Sequence, residues 1–422
     1  PTSVCFHKHH RRKSRRHHHR HHHRHSLPHS VPGRPSLCME VSFLARDVSD
    51  LCLGKPPLRS LSATATVGDA LAALKSSGES HISVWRCDHD KEEVGCFCRC
   101  VGKLCMVDVI CYLCQQDNLL SPSSALHQPV SQILPKDPSL VVHLQPSSSL
   151  LEAIDLILQG AQNLVVPILA TKKSGVSRRK QHQRATSTVN SQNGGEFCWL
   201  TQEDVIRFLL GSIGLFTPLP ALSIDSLGII SSDVLAIDYY SPASSAVGAI
   251  SKSLTQQTSV AIVDSDGTFI GEISPFTLAC CDETVAAAIA TLSAGDLMAY
   301  IDCGGPPEDL VRVVKARLKE RNLEKMLQEF TILSSMMGDT SASSSSSSDE
   351  ESPTRAVARS GRYTRSSSYS ARMVRKAEAI VCHPKSSLVA VMIQAIAHRV
   401  NYLWVIEDDC SLVGIVTFAN ML

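Results

Sequence analysis

Residues 403–420, LWVIEDDCSLVGIVTFAN, hold the pattern that decides the fold of this chain. Two apolar, β-branched runs, Leu403–Ile406 and Leu412–Val416, flank a polar turn, and this arrangement predicts a β-hairpin. Thr417 follows the second run directly and Asn420 lies three residues later, a spacing typical of a helix N-terminus. The stretch therefore predicts strand, turn, strand and the start of a helix.

The residues before this stretch complete a repeating unit. The apolar run Ala379–Cys382 predicts a strand, and Leu388–His398 predicts a helix capped by Ser386 or Ser387. The same β-α-β-β-α order occurs three more times along the chain. The caps expected for those helices are Thr66, Ser149 and Ser245, and the strands that follow them are His81–Trp85, Leu164–Ile168 and Val260–Val263.

The repeats and the segments between them give the domain organisation. We expect a His/Arg-rich tail at 1–38, a first unit at 43–117, a second unit at 127–215 with a basic loop insertion at 171–195, a third unit at 221–281, a helical insertion at 282–333, a Ser-rich linker at 334–370 and a fourth unit at 371–422. The tail and the linker carry too few apolar residues to bury a core, so we expect both to be disordered. The fourth unit ends at Leu422, inside its expected closing helix, and is interpreted as C-terminally truncated.

The repeated unit resembles the CBS (cystathionine-β-synthase-type) domain, and the resemblance covers most of residues 43–422. It implies an α+β fold in which four CBS units pair into two Bateman modules, with clefts between the paired units. The organisation is similar to that of plant proteins built only of CBS units, of the CBSX type. It is more distantly similar to the gamma regulatory subunit of AMP-activated and sucrose-non-fermenting-related kinases.

This resemblance implies a non-enzymatic regulatory protein that senses an adenosine-type ligand, such as AMP, ADP or ATP, and modulates a partner protein. The alternative is a gamma-like protein kinase regulatory subunit or scaffold that has largely lost ligand binding. Either protein could form a homodimer. The enzyme signatures HExxH, GxSxG, P-loop and GxGxxG after a strand do not occur in the sequence, so we do not expect an enzyme.

The resemblance also implies where ligands would bind. Family members use a turn from the last strand into a helix, with a glycine, then a hydroxyl, then Asp or Asn three residues later. Helix N-terminal N–H groups suit a phosphate, and the carboxylate or amide suits ribose hydroxyls. The matching residues are Gly414, Thr417 and Asn420 in the fourth unit, Thr201 and Asp204 in the second, Asp108 in the first and Ser274 in the third. The same residues would also serve simply as helix caps.

The first and third of these sites depart from the pattern, because Cys105 replaces the hydroxyl and Thr277 replaces the acid. Nucleotide-binding relatives also carry a basic pair just before the middle strand. At those positions this chain has Ser80-His81, Gln162-Asn163, Thr258-Ser259 and Asn401-Tyr402, so only His81 is basic. Arg399 lies nearby at a different offset. An uncharged adenosine-like ligand, weak binding and no ligand all stay open.

Composition narrows the partner classes. The formal net charge is +1, yet residues 1–38 hold eleven of the 18 histidines and no acid, so the rest of the chain has more acids than bases. A nucleic-acid footprint is therefore not predicted.

No apolar run reaches about 18 residues, so we expect no membrane insertion and a cytoplasmic protein, with nucleus and plastid left open. Three interpretations of the tail stay open: a disordered leader, a segment outside the native coding sequence, or a metal- or polyanion-binding segment.

Four further features each allow two interpretations. The alternating spacing of Cys96, Cys98 and Cys100 would place their thiols on one face of a strand. This pattern favours thiols that pack in a core over a metal or redox site. The basic loop is a surface hairpin or a targeting signal. The amphipathic stretch 310–330 packs on the third and fourth units or docks a partner. Ser346, Ser347 and Ser348 abut acidic residues, so they are phosphorylation sites or part of a passive tether.

Overall fold

The computed structural model describes residues 43–87, 98–168, 196–216, 218–302, 306–338 and 378–422. The His/Arg-rich tail, most of the basic loop insertion, most of the Ser-rich linker, Cys96 and the phosphorylation candidates Ser346–Ser348 lie outside these residues.

Each unit is built on a three-stranded sheet whose middle strand pairs parallel with the first strand and antiparallel with the third. The strands are β1 Ser60–Ser62, β2 His81–Cys87, β3 Cys98–Cys105, β4 Val141–His143, β5 Asn163–Ile168, β6 Glu196–Thr201, β7 Ala236–Asp238, β8 Val260–Val263, β9 Phe269–Ile273, β10 Val381–Cys382, β11 Tyr402–Ile406 and β12 Leu412–Thr417. The fold is α+β with four β-α-β-β-α units, which confirms the predicted fold class.

The helices separate and close the sheets. They are α1 Val48–Leu51, α2 Val67–Ser77, α3 Met106–Leu113, α4 Gln116–Leu120, α5 Pro122–Leu126, α6 Leu150–Leu158, α7 Gln202–Leu210, α8 Val247–Gln256, α9 Pro275–Cys280, α10 Val285–Thr291, α11 Ala294–Ile301, α12 Glu308–Glu320, α13 Glu324–Gly338, α14 Leu388–His398 and α15 Phe418–Met421. In α2 the Thr66 side chain accepts from Asp69 N, and the apolar residues at helical spacing are buried. The helix ends at Gly78, whose φ of 66° suits a residue without a Cβ.

The sheets pack in pairs, first unit on second and third on fourth. Trp85 and Cys100 of the first unit meet Val141 and Val165 of the second in one apolar cluster. Ala261 of the third unit packs against residues of the fourth that include the fully buried Trp404, in an equivalent cluster. Two modules of two units each follow from these contacts.

The two modules join through helices rather than sheets. Helix α3 of the first unit packs on α8 and α9 of the third, and one continuous apolar core runs through both units. Helix α7 of the second unit packs on α14 and α15 of the fourth. Each unit therefore contacts its module partner through its sheet and a unit of the other module through its helices.

The segment that precedes each unit packs on the other unit of the same module. We call these the lead-in segments: residues 43–58, 122–134, 222–231 and 285–301. Each forms an antiparallel bridge at the helix start of its module partner: Asp47 with Ser149, Pro129 with Thr66, Ser223 with Ser387, and Ser293 with Pro242. Backbone hydrogen bonds of 2.8–3.0 Å flank each bridge. The two units of a module are thus interlocked.

The helical insertion packs differently from the prediction. Helices α12 and α13 join the core shared by the first and third units, whereas the sequence had suggested the third and fourth. Ser123 Oγ donates to Glu329 Oε1 at 2.9 Å, and Arg317 Nη1 donates to the carbonyl of Thr291 at 2.6 Å. The reason is that α10 and α11 act as the lead-in of the fourth unit, which carries the chain across the third unit toward the first. Within the described part of the chain, no helix is long and apolar enough to cross a bilayer.

Candidate functional site

A cavity of about 520 Å³ lies where all four units meet. The sequence had placed ligand clefts between the two units of each module, and the structure joins residues of both modules around one space. Lining residues that carry polar or aromatic side chains include Ser80, His81, Lys103, Asp108, Asp137, Asn163, Trp199, Thr201, Glu203, Gln257, Ser274, Phe276, Arg399, Asn401 and Tyr402. Its volume is in the range of small-molecule sites in proteins.

Four of the predicted site residues line this cavity: His81, Asp108, Thr201 and Ser274. Three of them sit at the start of the closing helix of their unit, where free backbone N–H groups are concentrated. Thr201 and Asp204 form a reciprocal capping box, with Thr201 Oγ1 donating to Asp204 Oδ2 at 2.7 Å. The Ser274 side chain accepts from Phe276 N at 3.2 Å. The strand-to-helix turns of the first three units therefore converge on one space.

The fourth unit presents its signature residues elsewhere. Thr417 and Asn420 form a capping box like that of the second unit, but the pair is exposed and lies outside the cavity lining. Gly414 faces the lead-in segment of the third unit, and a Cβ there would lie 2.4 Å from the carbonyl oxygen of Ser231. Gly102 is similarly close to Leu134. Close approach of a lead-in segment thus accounts for glycine at this position of the signature.

Asp204 already has a cationic partner. Its Oδ2 atom lies 2.6 Å from Lys55 Nζ, and the same ammonium donates to the carbonyl of Trp199 at 2.9 Å. Both side chains are about one-fifth exposed, so water screens the pair only in part. A ligand hydroxyl that used Asp204 would share this carboxylate with Lys55 and Thr201.

His81 is an uncharged group in this site at neutral pH. Burial lowers its pKa well below the ordinary value, and the nearby Lys103 ammonium lowers it further. Its Nδ1 atom lies 2.6 Å from Ser80 Oγ. The basic residue that the sequence pattern singled out therefore offers hydrogen bonding rather than positive charge.

Lys103 is the cavity cation that the sequence analysis did not identify. It lies on β3 opposite Ser83, and its Nζ donates to Asn163 Oδ1 of the second unit at 3.1 Å. The ammonium also lies 5.9 Å from the centroid of the Trp199 ring, within cation–π range. Burial lowers the pKa of Lys103 to about 8. A lysine between Gly102 and Leu104, in the otherwise apolar stretch of residues 100–105, was the available signal.

Asp108 lies close to this lysine and caps α3. Its Oδ2 accepts from Cys105 N at 2.7 Å, so a cysteine takes the N-cap position without a hydroxyl. Burial raises the pKa of Asp108 to about 6, although the Cys105 hydrogen bonds and the Lys103 charge act in the other direction. Lys103 and Asp108 thus place two incompletely solvated charges on the first-unit side of the cavity.

The third unit carries an acid where the first unit carries Lys103. Glu272 follows Gly271 as Lys103 follows Gly102, and both residues face the module partner. Tyr402 Oη and Trp404 Nε1 donate to Glu272 Oε2 at 2.9 and 2.6 Å. Burial raises the pKa of Glu272 despite these hydrogen bonds. The two modules therefore differ in charge at equivalent positions.

The described thiols are not arranged for metal binding. Cys100, Cys105 and Cys111 are buried, and burial raises the pKa of each thiol. Among the residues that the structure describes, no group of three or more His, Cys, Asp or Glu side chains is placed to hold a metal ion.

Comparisons with known proteins cover nearly the whole chain. It is 55% identical over 395 residues to the CBS domain-containing protein CBSX5 of Arabidopsis thaliana, across 91% of this chain and 97% of that protein. It is 30% identical over 425 residues to CBSX6 of the same plant, across 90% and 93%. No family model matches the chain. Among solved structures, protein MJ1225 of Methanocaldococcus jannaschii matches with a TM-score of 0.48 and 14% identity, across 89% of this chain and 98% of that one.

Proposed function

The chain belongs to the family of CBS-domain-containing proteins that includes Arabidopsis CBSX5 and CBSX6, and from this premise we propose that it is a regulatory protein whose central cavity binds an adenosine-type ligand. The ligand would be AMP, ADP, ATP or another adenosyl compound. It would act by changing how a partner protein recognises the four-unit assembly, without a chemical step.

The observation that carries this proposal is that all four units contribute to one cavity. A ligand held by groups from several units binds most tightly to one relative orientation of those units, and so shifts the population toward it. The cavity supplies the hydroxyl groups of Thr201 and Ser274 for hydrogen bonds and the aromatic surfaces of Trp199 and Phe276 for a base.

The test is thermal unfolding of the full chain with AMP, ADP, ATP, adenosine and S-adenosylmethionine. A ligand at about 100 times its Kd adds about 2.7 kcal/mol, which raises Tm by several degrees. We expect a saturable shift that Thr201→Ala reduces. Thr66→Ala is the matched control, because it removes the same Thr–Asp capping box from a helix start outside the cavity. Equal shifts in both variants, or none in the wild type, would contradict the proposal.

A second candidate is a kinase regulatory subunit or scaffold that no longer depends on a ligand. The Lys55–Asp204 ion pair favours it, since the protein itself occupies a group expected to hold ribose. Affinity purification of the tagged chain from cells distinguishes the two. A stoichiometric kinase that stays bound with and without added adenylates, together with no thermal shift, would support the scaffold. A partner whose binding changes with the adenylate would support the sensor.

A further inference from the structure

The charges around the central cavity are few and of both signs. Among the described residues that line it, the cations are Lys103 and Arg399, and the acids are Asp108, Asp137 and Glu203. A ligand with several phosphate groups would place most of its negative charge beside these carboxylates. The lining is better matched to one phosphate group than to a triphosphate.

Lys103 is the more buried of the two cations that line the cavity, since Arg399 is exposed. An ammonium group has three donors, and among the described residues Lys103 makes one hydrogen bond, to Asn163. The Trp199 ring covers another side of it. A half-buried ammonium with unused donors in a cavity is a ready partner for an anionic oxygen.

The opposite module carries an acid, Glu272, at the position equivalent to Lys103. Tyr402 and Trp404 both donate hydrogen bonds to the carboxyl group of Glu272, which lies between the third and fourth units. Glu272 is not among the described residues that line the cavity, but Tyr402, which does line it, donates to this acid. Among the described lining residues the third and fourth units supply no half-buried cation, since Arg399 is exposed. A ligand with one charged end and one apolar end would bind in one direction only.

An apolar contact for the other end is also present. The Phe276 side chain is 53% exposed although it lines the cavity, and it projects from the start of α9 in the third unit. An exposed aromatic ring inside a cavity is a suitable stacking surface for a base.

We infer that Lys103 is the phosphate anchor of the central cavity and that the ligand is a nucleoside monophosphate bound with its phosphate toward the first and second units. This inference rests on the proposed function. Lys103 lies on the last strand of its unit, away from the positions before the middle strand where a basic pair was sought. Lys103 thus supplies the positive charge that the positions before the middle strands do not provide.

The experiment measures Kd by isothermal titration of the full chain with AMP, ATP and adenosine. In the wild type we expect AMP to bind at least about tenfold more tightly than adenosine, because a hydrogen bond to a charged group contributes at that level. Lys103→Met should weaken AMP by about tenfold or more and leave adenosine unchanged within about twofold. Lys103→Arg should restore part of the AMP affinity. Lys252→Met, at an exposed lysine of α8, is the control and should change neither.

Phe276→Ala provides an independent readout, because loss of a stacking surface should weaken AMP and adenosine alike. Equal wild-type affinities for AMP and adenosine, or an unchanged AMP affinity in Lys103→Met, would overturn the inference and leave the proposed function standing. Loss of adenosine binding in a folded Lys103→Met protein would show a structural role for Lys103 and would also overturn it. ATP binding more tightly than AMP would refute the monophosphate. No binding of any of the three by the wild type would overturn the inference, and an unchanged Tm with ADP and S-adenosylmethionine as well would remove the proposed function.

Discussion

Lys55 and Asp204 are 149 residues apart in the chain and form an ion pair with 2.6 Å between Nζ and Oδ2. The lysine belongs to the lead-in segment of the first unit, and the aspartate caps α7 of the second. The pair therefore fastens one unit of the module to the other at the edge of the central cavity.

Lys55→Met should lower the free energy of unfolding by about 1–2 kcal/mol, because it leaves a half-buried carboxylate without its cation. Arg207→Met is the control on the same helix, since Arg207 pairs with Glu203 in a more exposed setting. It should cost less than about 0.5 kcal/mol. Chemical unfolding of both variants tests this, and equal losses would contradict a special role for Lys55.

Removing the Lys103 charge should stabilise the protein in the absence of ligand. Burial disfavours the ammonium, so Lys103→Met should raise the free energy of unfolding at pH 7 by an amount on the order of 1–3 kcal/mol. The folded-state pKa of about 8 lies below the ordinary value of 10.5. Between those values the unfolded chain binds more protons, so the wild type gains stability as pH rises. The advantage of Lys103→Met should therefore shrink from pH 7 to pH 10, and an advantage that grows would be evidence against a buried cation.

Because of Asp108, the free energy of unfolding should fall as the pH rises from the ordinary pKa of an aspartate to the folded-state pKa of this one. Its folded-state pKa of about 6 exceeds the ordinary 3.8, so the folded protein binds the proton more tightly between those values. Asp108→Asn should flatten this part of the profile relative to the wild type while keeping the cap, as Asn420 does for Thr417. Asp108→Ala should be less stable than Asp108→Asn by about 1 kcal/mol, because both variants remove the charge and the alanine also loses the cap. Unfolding at pH 4.5 and pH 7 measures both effects, and a slope unchanged in Asp108→Asn would assign it to another group.

Gly414→Ala should destabilise the fourth unit, because the added Cβ would lie 2.4 Å from the carbonyl oxygen of Ser231, a backbone atom. Overpacking of this kind costs about 1–3 kcal/mol. Gly248→Ala is the opposite case, since no atom lies within 4 Å of its added Cβ in α8. It should be neutral or stabilising by up to about 1 kcal/mol. Thermal unfolding compares the two variants, and similar Tm changes would show that the lead-in segment can move aside.

Thiol reactivity should follow burial. Cys410 is exposed on the β11–β12 turn, whereas burial raises the pKa of Cys100 and Cys382 to about 12. Alkylation of the native protein should modify Cys410 early and leave the other two until the chain unfolds. Peptide mass spectrometry over a time course gives the order, and early labelling of Cys100 would point to local opening of the first unit.

Local patterns were sufficient to predict the elements of each unit. Helix capping by Thr66, Ser149 and Ser387 is as expected, because the hydroxyl oxygen of a Ser or Thr before a helix accepts a hydrogen bond from a free backbone N–H of the first turn. Ser245 does not cap its helix. Its Oγ donates to the carbonyl of Pro242 at 2.6 Å inside a 3₁₀ turn, and α8 starts two residues later. The turn begins one residue after the bridge that holds the next lead-in segment, a contact that the local sequence does not show.

The site was harder to predict, since its key contacts join distant parts of the chain. Thr201 and Ser274 were predicted from their spacing to the following helix, which is a local pattern, and both line the cavity. Lys103 was not predicted, because the sequence of a strand does not show which other unit its side chains contact. That contact depends on how the sheets of the two units in a module pack on each other. Thr417 likewise lies outside the cavity lining, although its capping box is the same as that of Thr201.

The exchange of lead-in segments decides what can be cut from this protein. A single unit excised together with its lead-in segment would lose the segment that closes its helix start and would carry one that fits only its missing partner. Each module is in this respect a single-chain counterpart of a domain-swapped dimer. Two separately produced halves of a module should therefore associate with each other. Deletion of one unit from the gene should expose apolar surface on the other unit and should not leave a shorter working protein.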